Sequence, residues 1–550
     1  MSSESVISES LSTYSTTSQY FEQSRVKHFM MVFSLSLLIF VSTLSSTIVS
    51  TAQESIVKVH GVKNLTWVTQ SFLLTSTALQ PIWGKLSDVF GRMILYKIAI
   101  YLYMISSLAA GFSVSMEMLI VCRAFMGLGA GAIQVLSLVI LSDIVPIRAR
   151  GKYLGATVAA GLLGQAVGPL LGGVLTAWFS WRYTQFINIP ILLIGSIMVI
   201  FLIILPNPAG SIKTKIVRID FLGIVLVVTA SSIVFMAFDI LGSSYTFSSI
   251  TFIVLVVVGI VIMAIFLIFE KYTKKDPIVS MRMVKHHNVW VGFLSAMTTG
   301  IVIYVTLFTV PNYFRAVYNS NTIETGLKTW PYAFGVFIST IVTGFAITRY
   351  GNFKPYLWIG GMLLIVASSL LTTLTPNEEK VKEIILFGMI GVGIGFRAPS
   401  VTIEAQSVVS NDDRASVTAL INFSRNVGGV IGVAISKSIV KTNFTKSVYK
   451  LMAEHPEWDE NFYLASEGII SALWKITDPV VRQKALIKYL LSLEKIIYAC
   501  IIASSIGFIL SLFCSPVKLR HTKAEREEYE KHIASIKSRN STDTTGAQTV

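Results

Sequence analysis

Cysteine is scarce in this chain: there are three in 550 residues, and Cys122, Cys500 and Cys514 all lie in or beside apolar segments. That excludes a disulfide-stapled scaffold. Cys514 reads either as a plain membrane-boundary cysteine or as a palmitoylation site. Charge is equally thin, at 14% of residues against 53% hydrophobic, which excludes an ordinary soluble domain. No Gly-x-x-x-x-Gly-Lys-Ser/Thr phosphate loop occurs, so ATP drive within this chain is not expected. The seven histidines are scattered, with His286-His287 in a basic linker, and no metal-ligand cluster or nucleophile–base arrangement is recognisable. No enzyme activity, metal or cofactor is expected. The segment ahead of the first apolar run is rich in Ser, Thr and Glu and lacks the basic start and apolar core of a cleaved signal peptide.

What the chain has in quantity is long apolar runs. A helix needs about 20 mostly apolar residues to cross a bilayer, and roughly fourteen such runs recur. They fall near 28–49, 65–83, 95–115, 117–140, 154–177, 183–205, 221–240, 249–269, 288–310, 328–347, 355–375, 385–407, 416–437 and 492–513. Their continuous apolarity excludes a β-barrel, whose strands would alternate. The fold expected is all-α and polytopic. Lys and Arg concentrate in alternate loops (Lys85, Arg92, Arg148, Arg150, Lys152, Lys213, Lys215, Arg218, Lys271, Lys274, Lys275), while 241–248 has none. By the positive-inside rule both termini are expected in the cytosol. The net charge of +15 is then a topology signal and does not point to nucleic acid.

The spans group as six, two and six. A disordered tail, 1–27, precedes a six-helix bundle at 28–205. A two-helix insert with flanking loops occupies 206–287, and a second bundle runs 288–514 with one long loop at 441–490. A charged, partly helical tail follows at 515–550. Gly84…Gly91 is echoed by Gly344…Gly351, Gly127-x-Gly129-x-Gly131 by Gly391-x-Gly393-x-Gly395, and Gly164-x-x-x-Gly168 by Gly428-x-x-x-Gly432. All three echoes share nearly one offset, which points to an internal duplication. Asn443-Phe444-Thr445 and Asn64-Leu65-Thr66 are glycosylation acceptors on the non-cytosolic side, Asn64 close to the bilayer.

Gly84-Lys85-Leu86-Ser87-Asp88-Val89-Phe90-Gly91-Arg92 forms a short polar turn between two apolar runs. Its glycines permit a sharp bend, and Asp88 can accept from backbone amides and pair with a basic side chain. It resembles the G-x-L-x-D-x-x-G-R loop of the major facilitator superfamily, which implies a cytosolic latch at Gly84, Asp88, Gly91 and Arg92, with Arg349 in the echoing loop. A plain polar turn is the alternative. Arg123, ahead of Gly127, is a charge within the membrane, costing about 2.5–3.5 kcal/mol at mid-helix, and so points to a polar interior. The resemblance associates this arginine with proton transfer. Gly164-x-x-x-Gly168-Pro169-x-x-Gly172-Gly173 is similar to the superfamily's antiporter motif, with ordinary glycine-mediated helix packing as the alternative.

The resemblance extends over residues 28 to 514 and includes Trp67-Val68, Leu73-Leu74-Thr75, Ser142-Asp143-Ile144-Val145-Pro146, Trp181-Arg182, Asn188-x-Pro190 and Arg425-x-x-Gly428-Gly429. It is most similar to the fourteen-helix drug:proton antiporters, especially fungal members that load basic amino acids into vacuoles. That branch places an aspartate in its first helix where this chain has Ser45, which can neither carry a proton nor neutralise a cation. By resemblance the first, fourth, ninth and twelfth spans line the central cavity. Arg397 and Glu404 lie two turns apart on nearly one face of the twelfth. One reading has Arg397 hold a substrate carboxylate and Glu404 exchange a proton; the other is a structural ion pair. Asp239 is read as an interface residue, with Arg425 and Asn422 as weaker candidates.

The resemblance implies a monomeric, proton-coupled antiporter of small solutes in contact with membrane lipids. Basic amino acids entering the vacuole come first, plasma-membrane drug efflux second and a non-transporting nutrient sensor third.

Overall fold

The computed structural model describes residues 25–515, apart from short stretches at 62–63, 146–149, 206–219, 242–247, 274–276, 375–378, 410–412, 455–458 and 467–469. Both tails, the loop 206–219 and the Pro146–Arg148 part of the motif therefore lie outside the described residues, as does the Asp239 side chain. The helices that make up the candidate spans are α1 (Arg25–Thr47), α4 (Arg92–Gly111), α5 (Met116–Ile144), α6 (Arg150–Trp178), α7 (Asn188–Leu202, whose span is completed by the helical turn Tyr183–Phe186 ahead of it), α8 (Phe221–Ile240), α9 (Ile250–Tyr272), α10 (His287–Tyr318), α11 (Trp330–Tyr350), α12 (Lys354–Leu371), α13 (Lys380–Ser407), α14 (Arg414–Val440) and α15 (Pro479–Leu512). Among the described residues, thirteen helices are long and apolar enough to cross a membrane. The expected span at 65–83 is divided into α2 (Leu65–Ala78) and α3 (Gln80–Phe90). Pro81 lacks an amide hydrogen and interrupts the ladder near Leu79, so neither piece alone reaches membrane length.

The chain's small residues set which helices touch. Thr43 donates to the Gly161 carbonyl at 2.7 Å and Ser36 to Thr157 at 3.1 Å, which ties α1 to α6 along their length. A side chain at Gly164, Gly168 or Gly172 would collide with the Phe40 carbonyl, the Thr47 hydroxyl and the Ile48 carbonyl respectively, all on or just after α1. The same construction recurs in the second half of the chain: Gly428 lies against the Met297 carbonyl and Gly432 against Ile301, packing α14 along α10. On α5, Gly127 and Gly131 face α2 while Gly129 faces Ala99 and Tyr103 of α4. On α13, Gly391 and Gly395 face α11 while Gly393 faces Gly360 and Leu364 of α12. The sequence echoes are thus matched interhelical contacts.

α8 and α9 pack on one another and touch the rest mainly through α2 and α14. α9 has the highest hydropathy of the candidate spans and is mostly exposed, as expected of a lipid-facing helix. Asp220 caps α8 by accepting from the Gly223 amide at 3.1 Å.

The expected long loop at 441–490 is mostly helical. Short turns at Lys441–Thr445, Lys446–Glu454, Asp459–Ser466 and Ile470–Lys475 lead into α15, which begins at Pro479, well ahead of the span expected at 492–513. Burial explains the difference: Phe444, Phe462, Ile470 and Leu473 join one apolar cluster with α10 and α15. The Trp474 indole donates to the Arg315 and Ala316 carbonyls. Asn443 lies on this segment, its amide nitrogen donating to the Ile439 carbonyl and its Oδ1 accepting from Lys495 Nζ at 2.6 Å. Asn64 is exposed and initiates α2 in a left-handed conformation, φ 64°.

Candidate functional site

Between α1, α2, α5 and α6 on one side and α10 and α14 on the other lies a cavity of about 70 Å³, room for a few waters and not for a drug-sized molecule. Polar groups reach it from every helix: Thr43, Ser46, Ser76, Gln134, Gln165, Tyr304, Asn422, Arg425 and Asn426. Phe72, Leu73, Leu138, Val158, Leu162 and Ile303 supply its apolar surface. Arg425 is the only charged residue among them, and no carboxylate lines the cavity among the described residues. Its guanidinium donates to Asn422 Oδ1, the Ala398 carbonyl and Thr402 Oγ1, each at 3.3 Å, while Nε has no partner. Gly428, one turn on, closes α14 onto α10 and so fixes the rotation that brings Arg425 inward.

The cavity is shut at the end that carries the 84–92 turn. A Cβ at Gly84 would stand 3.0 Å from the Ala415 carbonyl of α14, and one at Gly155 would stand 2.9 Å from Gly344 of α11. The Lys152 amide donates to Thr348 Oγ1 at 2.7 Å, and Gln406 reaches Ser142 at 3.4 Å. Both Gly84–Ala415 and Gly155–Gly344 join the first six-helix set to the second, and the duplication relates one to the other. Within the turn, Arg92 pairs with Asp88 at 3.0 Å and with Asp143 at the end of α5, while Gly91 bends the chain at φ 102°. Arg349 sits at the corresponding end of α11, its guanidinium 5.9 Å from the Tyr350 ring centroid.

The three buried charges singled out in the sequence lie elsewhere. Arg123 is fully buried, donating to the Val68 carbonyl at 3.1 Å and the Ser45 carbonyl at 3.0 Å, and stacks 4.3 Å over Phe72. Beside it, Tyr103 donates to Ser45 at 2.6 Å and Ser45 to Asn188 at 3.0 Å, a neutral network at the position where the resembled branch has an aspartate. Arg397 lies against Gly360 and Gly361 of α12 and Gly507 of α15, with Nε and Nη2 unpartnered. Glu404 is 0% exposed, with no partner on either carboxyl oxygen within hydrogen-bond geometry. The Cys514 thiol faces it from beyond the end of α15, and burial, then this carboxyl, pushes the thiol upward. Arg397 and Glu404 share a face as expected, but it turns into the second bundle, because the Ala398 and Thr402 side of α13 is the one that meets Arg425.

Gly164, Gly168 and Gly172 form the face of α6 toward α1, Pro169 lies within the helix, and Gly173, one residue on from Gly172, falls outside that face. Pro169 leaves the Gln165 carbonyl without its helical donor, and Thr47 of α1 supplies one at 2.9 Å. The sequence reading passed over Gln134, Gln165, Tyr304 and Asn426, although a glutamine inside an apolar run is itself a signal.

Comparison with known proteins agrees with this geometry. The family model described as Major Facilitator Superfamily matches residues 35–433. "Efflux pump dotC" of Dothistroma septosporum is 30% identical over 77% of this chain and 73% of its own. "Multidrug transporter protein MdtP" of Bacillus subtilis is 26% identical over 94% of this chain and 98% of its own. The solved structure of the proton:xylose symporter XylE superposes with TM-score 0.56 at 14% identity, covering 90% of this chain and 98% of that one. A family match over most of the length, relatives aligned along most of both chains and a shared fold lead to one conclusion: the chain is a membrane transporter of the Major Facilitator Superfamily.

Proposed function

We propose that this transporter exports small organic compounds from the cytosol by alternating access, using a proton gradient. One observation carries the reading: a polar cavity sits between two helix sets that meet, at one end, through duplication-related glycine contacts. Contacts made by bare backbone can part and re-form as bundles rock. The Lys- and Arg-rich loops at that end support a cytosolic placement for it. The relatives named for efflux and multidrug transport favour export over the vacuolar amino-acid reading. The cavity agrees, since among the described residues no carboxylate lines it to receive the side-chain cation of lysine or arginine.

Glu404 is the proposed proton carrier. A fully buried carboxylate faced at close range by the weakly donating Cys514 thiol costs several kcal/mol, and taking up a proton removes that cost. The groups around it are Cys514, Lys354 and, on its own helix, Arg397. The test uses proteoliposomes with a trapped pH indicator and a compound first shown to be transported. Its addition is expected to move protons in the wild type and not in Glu404→Gln, which should still exchange substrate in the absence of a gradient. Full gradient-driven transport by Glu404→Gln would remove the proton role. Transport unaffected when an ionophore collapses the gradient would remove proton coupling altogether.

A further inference from the structure

Resting on the transporter reading, we infer that the substrate is an organic anion, a carboxylate on an apolar body, and that Arg425 receives the carboxylate. The cavity has one formal charge and it is positive. Arg425 keeps Nε–H without an acceptor, and its three existing bonds are all long, at 3.3 Å, to neutral oxygens. Among the described residues the titratable neighbour of this guanidinium is the Tyr304 hydroxyl, which also lines the cavity. A guanidinium inside a membrane protein without a counter-ion is expensive, and a carboxylate is the ligand that repays this with a charge-assisted, geometrically matched contact.

The surroundings agree. Gln165 approaches Tyr304 from the first bundle, and Tyr304 donates to Asn426 Oδ1 at 3.4 Å, so neutral amides and hydroxyls ring the guanidinium and can turn donors toward an anion. Phe72, Leu73, Leu138 and Leu162 form the apolar wall for the rest of the molecule. An ammonium in the same place would meet like charge and no carboxylate among the described residues. At about 70 Å³ the cavity is too small for such a ligand, so binding accompanies its widening.

The experiment uses purified full-length protein and three probes on one aromatic body: 2-naphthoate, 2-naphthamide and 2-naphthylmethylammonium. Binding is read by isothermal calorimetry and transport by counterflow in proteoliposomes. Naphthoate is expected to bind about tenfold or more tighter than the amide, and the ammonium not at all. Arg425→Gln is expected to erase the preference for naphthoate while leaving amide binding, and Arg425→Lys to retain part of it. An ammonium that binds as well as naphthoate would overturn the assignment, as would an unchanged preference in Arg425→Gln, or no binding by any probe. Charge-selective binding without counterflow would sink the transport reading and keep the anion site; counterflow without charge selectivity would do the reverse.

Discussion

Thr47 and Pro169 illustrate how single side chains hold this molecule together. Proline in α6 orphans the Gln165 carbonyl, and the Thr47 hydroxyl satisfies it across the helix pair. Replacing Thr47 with Val is expected to cost about 1–2 kcal/mol, read as a lower unfolding midpoint in detergent. In a Pro169→Ala background the alanine amide restores the helical bond, so the same replacement should cost markedly less. Equal costs in both backgrounds would mean that the hydroxyl stabilises by some other route. At this scale the sequence identified which residues were unusual but not what they face. That Arg123, Arg397 and Glu404 are charges within apolar runs is plain from the chain. Their separation from the cavity is not, because helix rotation is fixed by contacts such as Gly361 and Gly507 against Arg397. The same ignorance of rotation left Arg425 among the weaker candidates.

Between elements, the decisive contacts are those with no room for a side chain. A Cβ at Gly84 would press on the Ala415 carbonyl and the Ala419 methyl, and one at Gly344 on Gly151 and Gly155. Gly84→Val and Gly344→Val are therefore expected to part α3 from α14 and α6 from α11. Thr340, fully buried beside Gly155, can report this. In a cysteine-free background, Thr340→Cys should react with a hydrophilic maleimide severalfold faster when either valine is present. Gly388→Ala, whose added methyl would have 3.8 Å to its nearest neighbour, should leave the rate unchanged. Unaltered labelling in both valine variants would mean that these contacts do not hold the end closed. Helices were the best-read elements, since long apolar runs allow little else. Two boundaries differed for physical reasons: Pro81 splits the second span, and buried aromatics draw the 441–478 segment into helical turns. A sequence window averages hydropathy and sees neither a local backbone break nor a tertiary cluster.

For the whole molecule, the repeat was legible because glycine positions survive where backbones touch. Gly127, Gly129 and Gly131 contact the same relative helices as Gly391, Gly393 and Gly395, so a one-dimensional echo foretold a three-dimensional correspondence. The cavity itself was not legible, because it is assembled from helices in both halves of the chain, from Ile39 on α1 to Asn426 on α14. If the two helix sets rock about it, they must separate at the end that is closed in this structure. The most direct test pairs Lys152→Cys with Thr348→Cys, residues in contact across that seam, after replacement of Cys122, Cys500 and Cys514. Counterflow is measured before oxidation, after oxidation and after reduction. Flux is expected to vanish when the pair is cross-linked and to return with the reductant; undiminished flux through fully cross-linked protein would contradict alternating access by these halves.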